Sequence, residues 1–347
     1  MKTTPITELG EFGLIDKLTG NIKHYHKETL KGIGDDTAAI YSGDGSITLL
    51  TKDLLVEGVH FNMMYTPLKH LGYKSVTVNL SDIYAMNGTP THIIVGIAVS
   101  SKYPVEALEE IYAGMQLACD KYQVDLVGGD TTSSQSGLFI SVTAMGKVSK
   151  EAITYRSGAG DGDLICVSGN LGAAYAGLLI LEREKEVYKA NPQMQPDISK
   201  YTYVLERQLK PEPRKDITEM LQKLGIVPTA MIDISDGLAS EVFHIGKASN
   251  KGVVIYEEKL PVDPETAMVA HEFKIDPSTF ALNGGEDYEL LFCIRQSDYE
   301  KIKENAEISI IGHITANTHQ RDLISTSGNV IPMKAQGWDS FDKEKHE

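Results

Sequence analysis

Aspartates recur at uncommon positions in this chain, each beside apolar or glycine-rich sequence. Asp35 and Asp36 stand together between Gly-Ile-Gly and an apolar run, and comparable settings surround Asp53, Asp82, Asp130, Asp233 and Asp236. Each has an ordinary explanation when taken alone, such as a turn at 35–36, a structural group inside a helix at Asp82 or an N-cap at Asp236. A carboxylate beside a buried strand is costly unless it is paired, hydrogen-bonded or bound to metal, and no matching series of Arg or Lys adjoins these acids. Together they predict a site for divalent cations.

Paired glycines precede two of the acidic motifs, Gly-Gly-Asp at 128–130 and Gly-Gly-Glu-Asp at 284–287. Glycine lets the backbone approach a ligand closely and leaves its N–H groups free to donate, which suits phosphate. The sequence contains no GxxxxGK[ST] loop, no protein-kinase HRD and DFG set and no GxGxxG fingerprint. A phosphate and metal site outside the common nucleotide-binding loops is therefore predicted.

Charge and cysteine content exclude several classes of protein. Asp and Glu outnumber Lys and Arg by 48 to 33, and the net charge of -15 repels nucleic acid and anionic membranes. The three cysteines are far apart, which predicts neither a disulfide framework nor a zinc site. Since no signal-peptide core or membrane-length apolar run is present, we expect a cytoplasmic protein with no membrane partner.

The elements that must position these acids alternate between helix and strand. A length of 347 residues favours two domains, and we place the boundary near residue 150, giving domains 1–150 and 151–347. Apolar periodicity predicts a helix over 104–122 between strands at 92–100 and 138–148. In the second half we predict strands at 163–169, 229–235, 252–260, 280–283, 288–294 and 308–315, and helices at 171–184, 237–249 and 297–306. The polar run 183–213 is predicted to be a loop or partial helices outside the core.

A series of motifs resembles the ATP-dependent enzymes related to aminoimidazole ribonucleotide synthetase, and among them the thiamine-monophosphate kinases. GIGDDTAAI, DLLVEGVHF, GYKSVTVNLSDIYAMNGTP, LVGGDTTS, YRSGAGDGD, KPEPR, IDISDGLASEVFHI and NGGEDYELLF occur in the order of that family. The resemblance runs from about residue 10 to the terminal GWDSF. It implies a mixed α/β two-domain fold, with an N-terminal sheet domain that dimerises and a C-terminal α/β domain that completes the active-site cleft.

The resemblance also implies roles for individual residues. Magnesium would be held by Asp35, Asp36, Thr51, Asp53, Asp82, Asp130 and Asp233, with Asp236 at a further ion. ATP would contact Tyr112, Gly129, Asp130, Arg156 and Ser235, while thiamine monophosphate would contact His60, Glu286 and Trp338. Without the resemblance, each has a simpler structural explanation: His60 as a hydrogen-bonded strand residue, Glu286 as a turn residue, and Trp338 as a residue that fills space in the core or at its edge.

The implied reaction is Mg²⁺-assisted transfer of the γ-phosphoryl group of ATP to thiamine monophosphate. Since both reactants are anions, removing their repulsion is the main requirement. The acceptor oxygen is already ionised, so we expect direct in-line transfer without a general base or phosphoenzyme. The alternatives are another enzyme of the superfamily, or a dimer that binds nucleotide and metal without catalysis.

One residue departs from the family pattern. Lys52 stands where a hydroxyl residue usually precedes the metal-binding Asp53. Its ammonium either occupies one cation position or points away while Thr51 and the backbone serve. The number of bound ions depends on which arrangement holds.

Overall fold

The computed structural model describes residues 4–337, which form two β-sheets with helices packed against them. The mixed α/β class predicted from the sequence is confirmed. The strands are β1 (Thr29–Lys31), β2 (Ala38–Tyr41), β3 (Ser46–Val56), β4 (Thr89–Val99), β5 (Asp125–Ser133), β6 (Leu138–Ser149), β7 (Leu164–Ser168), β8 (Ala230–Asp233), β9 (Gly252–Tyr256), β10 (Leu290–Ile294), β11 (Ile308–Thr315), β12 (Arg321–Ile324) and β13 (Val330–Pro332). The helices are α1 (Gly10–Thr19), α2 (Leu68–Ala85), α3 (Val105–Tyr122), α4 (Ala173–Ala190), α5 (Thr202–Leu209), α6 (Lys215–Lys223), α7 (Leu238–Ser249), α8 (Pro264–Glu272), α9 (Pro277–Asn283) and α10 (Tyr299–Ile302).

The first sheet has six strands in the order β1-β2-β3-β6-β4-β5. Alternate residues of β6, among them Ile140 and Val142, are fully buried because one face of the sheet packs against helices. Helices α2 and α3 cross closely at two glycines. A Cβ at Gly72 would lie 1.8 Å from the Ile111 carbonyl oxygen, so only glycine fits at this crossing.

The opposite face of the first sheet is open. Leu50, Lys52 and Leu54 of β3 are exposed on it, and the strand pairing places Met145 of β6 and Ile94 of β4 on the same face. We refer to these five residues as the open face. Residues paired across neighbouring strands share a face of the sheet, whereas successive residues of one strand point to opposite faces. Thr51 and Asp53 of β3 therefore point to the helix-covered side.

The second sheet has seven strands in the order β13-β12-β9-β11-β7-β10-β8, and helices cover both of its faces. On β7, Ile165 and Val167 pack with α7, while Cys166 between them packs with α6. Burial on both faces explains the unbroken apolar runs of β7, β8 and β10. All three cysteines are buried free thiols.

Most predicted elements are present, but two predictions in the second half are wrong. Residues 280–283, predicted to be a strand, end helix α9, whose start is fixed by the N-cap Asp276 and by Pro277 at its first turn. The run 183–213 is partly core, since Tyr201, Val204 and Leu205 are buried against α4, α8 and α9. Because most residues of this run are polar, the apolar face of the short helix α5 is hard to recognise in the sequence.

Helix α2 lies between the two sheets and contacts β3, β4, β6 and β8. It is buried along most of its length, including the polar Lys74, Asn79 and Ser81. Buried polar side chains need partners, and those of α2 find them at the site described below. Within residues 4–337, the helices are too short or too polar for any to be a membrane-span candidate.

Candidate active site

Three aspartates from distant parts of the chain meet in one group. Asp36 precedes β2, Asp82 lies near the end of α2, and Asp233 ends β8; one carboxylate oxygen from each lies within 4.8 Å of the others. Asp53 of β3 joins them electrostatically, since its charge raises the pKa values of both Asp82 and Asp233. We refer to Asp36, Asp53, Asp82 and Asp233 as the acid cluster.

Polar groups on and beside α2 position the acid cluster. Ser81 donates its hydroxyl to Asp233 Oδ2 at 2.6 Å, and Thr51 of β3 donates to Asp82 Oδ2 at 2.5 Å. The backbone N–H of Asp53 donates to Asn79 Oδ1 at 2.9 Å. Since α2 bonds to both β3 and β8, it fixes the relative position of acids from the two sheets.

Burial makes the ionised form of these acids unfavourable. It raises the pKa of Asp36 to about 7 and the pKa values of Asp53 and Asp233 to about 6, while the Arg156 guanidinium opposes the shift at Asp36 and Asp233. Burial also raises the pKa of Asp82, and the charges of Asp53, Asp233 and Asp36 add to that rise. A bound cation would remove both the desolvation cost and the repulsion.

Asp35 and Asp36 have protein partners that the sequence did not suggest. Arg156 donates from Nη2 to Asp36 Oδ1 at 2.8 Å, and its backbone N–H donates to Asp35 Oδ1 at 3.0 Å. Lys31 lies 3.5 Å from Asp35 Oδ2. The expectation that these acids have no cationic partner is therefore wrong at this pair. Arg156 is distant in sequence but adjacent in space, whereas Lys31 lies only four residues before Asp35.

The donor set fits a hard divalent cation. Asp36 Oδ2 is buried without a hydrogen-bond partner in the described part of the chain, and it belongs to a group of three mutually close carboxylates. Carboxylate oxygens and a neighbouring hydroxyl are ligands that Mg²⁺ accepts. The residues of the acid cluster therefore fit a hard divalent cation.

The segment after β8 adds Ser235 and Asp236 at the edge of the cluster. Asp236 is not an N-cap, because α7 begins after Gly237 and has no side-chain cap. Its backbone N–H donates at 2.9 Å to Glu241, a buried acid that the sequence analysis missed. Burial and the neighbouring charge of Asp236 raise the pKa of Glu241 well above its ordinary value. The position of Glu241 on the first turn of α7 was the available signal.

Asp130 lies apart from the acid cluster within this chain. Strand pairing aligns Asp53 with Val142, Val95 and then Gly129, so Gly129 is three strands away, roughly 14 Å at the usual strand spacing. Asp130 is the next residue and therefore faces the other side of the sheet. Tyr112, predicted near the nucleotide, is partly exposed on α3. The roles of Tyr112, Gly129 and Asp130 stay predictions.

Lys52 points away from the acid cluster. It is exposed on the open face, between Thr51 and Asp53, which point to the helix-covered side. Thr51 faces the acid cluster, where its hydroxyl bonds to Asp82, and its role toward a bound ion stays a prediction. The ammonium lowers the pKa of Asp53 only as a secondary effect, after the larger rise caused by burial.

His60 and Glu286 are more than 200 residues apart in sequence but near enough in space for the Glu286 charge to act on His60. Burial lowers the pKa of His60, and the nearby Glu286 carboxylate partly opposes that shift. His60 Nδ1 accepts a bond from the Val56 N–H at 3.0 Å, which leaves Nε2 to carry the proton of the neutral ring. Trp338, the third predicted substrate contact, lies outside the described residues.

Two buried residues that the sequence analysis missed hold Glu286. Lys74 Nζ lies 2.7 Å from Glu286 Oε1, and Gln208 Nε2 donates to Glu286 Oε2 at 2.7 Å. Lys74 lies within the GYKSVTVNLSDIYAM stretch, where a lysine amid buried helix residues was the available signal. Gln208 gave no signal, because its surroundings looked like a solvated loop.

Comparison with known proteins identifies the family. The model of the AIR synthase related protein, N-terminal domain, matches residues 34–148. The thiamine-monophosphate kinase of Aquifex aeolicus (strain VF5) is 36% identical over 338 residues, which cover 97% of this chain and 99% of the relative. This chain belongs to the thiamine-monophosphate kinase family.

Other family members agree over the same length. The thiamine-monophosphate kinase of Bacillus subtilis (strain 168) is 32% identical over 338 residues, covering 96% of this chain and 100% of the relative. A solved structure of AaThiL complexed with AMPPCP and TMP superimposes with a TM-score of 0.83 at 32% identity, covering 98% of this chain and 100% of that one. The family resemblance seen in the sequence motifs is confirmed.

Proposed function

We propose that this chain transfers the γ-phosphoryl group of ATP to the phosphate of thiamine monophosphate, giving thiamine diphosphate and ADP. The observation that carries the proposal is the meeting of Asp36, Asp82 and Asp233 within 4.8 Å in a member of this family. The related AaThiL structure contains AMPPCP and TMP, which are chemically an ATP analogue and the proposed acceptor.

The acid cluster is proposed to hold Mg²⁺ through Asp36, Asp53, Asp82 and Asp233, with Thr51 beside them and Asp236 at a further ion. When bound, magnesium supplies positive charge that offsets the repulsion between the two anionic reactants. Asp35 lies beside this set, and its carboxylate is already paired with Lys31 and with the Arg156 backbone N–H.

The remaining residues bind and orient the reactants in this proposal. Arg156 and Ser235 contact the phosphates of ATP, and Tyr112, Gly129 and Asp130 contact the nucleotide. His60 and Glu286, with Trp338, contact thiamine monophosphate. The bond from the γ-phosphorus to the ADP oxygen breaks as a new bond forms to an acceptor phosphate oxygen. That oxygen is an anion at neutral pH and requires no base.

We further propose two domains, 1–150 and 151–347, and a homodimer. The strands of the six-stranded sheet lie within 29–149 and those of the seven-stranded sheet within 164–332, which supports the boundary. Four of the five open-face residues are apolar, and among them Leu54, Ile94 and Met145 are 46%, 46% and 37% exposed. Strand pairing also places the polar Ser141, Thr143 and Asp130 on this side of the sheet. A second copy covering this face would bury the exposed apolar side chains. In size-exclusion chromatography with light scattering, the wild type should be a dimer and Leu54→Asp a monomer; a monomeric wild type would refute the dimer.

Turnover tests the proposed reaction directly. The protein is incubated with ATP, Mg²⁺ and thiamine monophosphate, and thiamine diphosphate and ADP are quantified by chromatography. Equal amounts of the two products are expected, with none when magnesium is chelated. ATP binding without diphosphate formation would favour a non-catalytic nucleotide-binding dimer, and turnover only of another phosphate acceptor would favour a different enzyme of the superfamily.

A further inference from the structure

Glu286 is held by two residues that are themselves closed off from solvent. The Lys74 side chain is 4% exposed and that of Glu286 is 27% exposed, so the carboxylate is the accessible member of the pair. Gln208 is buried on the other side. We refer to Lys74 and Gln208 as the brace.

The brace grips both carboxylate oxygens of Glu286. Lys74 reaches Oε1 and Gln208 reaches Oε2, each at 2.7 Å, and Lys74 Nζ also donates to the Gln208 backbone carbonyl at 3.2 Å. This second bond ties the two members of the brace to each other. Each carboxylate oxygen still has a lone pair that can accept a further hydrogen bond. The two contacts therefore fix the orientation of the carboxylate without using up its acceptor capacity.

The backbone at Glu286 is constrained as well. Glu286 has a positive φ of 66°, a conformation that non-glycine residues seldom adopt. Its N–H donates to the Ser235 carbonyl at 2.7 Å, and a Cβ at the preceding Gly285 would lie 2.6 Å from that same oxygen. The strained turn and the brace therefore fix both ends of the Glu286 side chain.

We propose that Lys74 and Gln208 are positioning residues that aim the Glu286 carboxylate at the thiamine monophosphate subsite. This inference rests on the proposed function. Thiamine monophosphate carries an amino group and a cationic ring, which suit the accessible carboxylate of Glu286. It also gives the run 183–213 a role, since α5 from that run supplies Gln208.

The test measures substrate dependence separately for the two reactants. Lys74→Met keeps the aliphatic stem and removes the ammonium, and Gln208→Met removes the amide donor. Because a hydrogen bond to a charged group is lost, each variant should raise the KM for thiamine monophosphate by about tenfold or more. The KM for ATP should stay within about twofold, as neither residue contacts the acid cluster. Lys69→Met, the same change at an exposed position of α2, is the matched control and should leave both KM values unchanged.

A double-variant cycle distinguishes positioning from general support of the fold. Once Glu286→Gln has removed the carboxylate, adding Lys74→Met should raise the thiamine monophosphate KM less than about twofold further. Independent, multiplying effects would overturn the inference, as would equal rises in both KM values or an unchanged acceptor KM. If Lys74→Met does not fold, Gln208→Met decides by the same criteria. If the wild type turns over but the brace variants keep the wild-type KM for thiamine monophosphate, only this inference is refuted. If the wild type does not bind thiamine monophosphate in calorimetry, the proposed function is refuted as well.

Discussion

Replacing Asp53 by Asn should stabilise the metal-free protein and abolish phosphoryl transfer. The substitution keeps the size of the side chain and removes a charge that lies among other acids. The Asp53 backbone N–H bonds to Asn79, and that bond is unaffected by the change. A residue kept for packing would show the opposite pattern, with lower stability and retained chemistry.

The magnitude follows from the pKa of Asp53. Burial raises it from 3.8 to about 6, so the ionised folded state is disfavoured. The penalty is absent below the unfolded pKa near 3.8, grows as the pH rises, and is complete above the folded value. Two pKa units correspond to about 3 kcal/mol, and because Asp53 is only half-buried we expect a gain of about 1–3 kcal/mol in the free energy of unfolding at pH 7.5.

The assay combines urea unfolding with turnover. Unfolding is measured with EDTA at about pH 7.5 and pH 4, where the stability difference between variant and wild type should be large and small respectively. Added Mg²⁺ should stabilise the wild type more than the variant. Asp161→Asn, at an exposed position, is the control and should change neither stability nor activity. Lower stability of Asp53→Asn without metal, or undiminished transfer, would refute the reasoning.

Three further predictions concern the same cluster. Arg156→Gln should lower the free energy of unfolding at neutral pH by about 3 kcal/mol, because it leaves Asp36 buried without its cationic partner. The same variant should raise the KM for ATP. An unchanged unfolding free energy in urea together with an unchanged KM would contradict this prediction. Lys52→Thr should keep the half-saturating Mg²⁺ concentration for turnover within about twofold, since Lys52 lies on the open face and points away from the acid cluster. A large shift in magnesium titrations would place the ammonium in the ion site. Raising the pH from about 5.5 to 7.5 should lower the half-saturating Mg²⁺ concentration by about tenfold or more, because protons compete with the cation for Asp36, Asp53 and Asp233 below their raised pKa values. A half-saturating concentration that does not change with pH would contradict this prediction.

The acids could be predicted from the sequence because the energetic cost of burying each one can be judged from its immediate sequence neighbours. An aspartate at the end of a buried strand or inside a buried helix is unfavourable wherever the chain goes, so Asp82 and Asp233 stand out without a structure. Their convergence depends on α2 packing between the two sheets, which no local pattern encodes. The Arg156–Asp36 pair was unpredictable for the same reason, since 120 residues separate its members.

The missed elements were those whose signals lie in single residues or in packing. Asp276 and Pro277 mark a helix start, but the short apolar stretch that follows resembles a strand equally well. In the run 183–213, polar residues outnumber the few apolar ones that α5 buries, so composition indicated a loop. Gln208 becomes meaningful only once α5 is placed beside Glu286.

Helix α2 connects the two ends of the proposed site. Lys74 braces Glu286 at one end, and Ser81 and Asp82 belong to the acid-cluster end two turns later, about 10 Å along the axis at the usual helical rise. Since α2 is one continuous buried helix, the separation between its contact with Glu286 and its contacts with the acid cluster is set within one element. In the proposed function, α2 therefore sets the distance between the thiamine monophosphate subsite and the magnesium site.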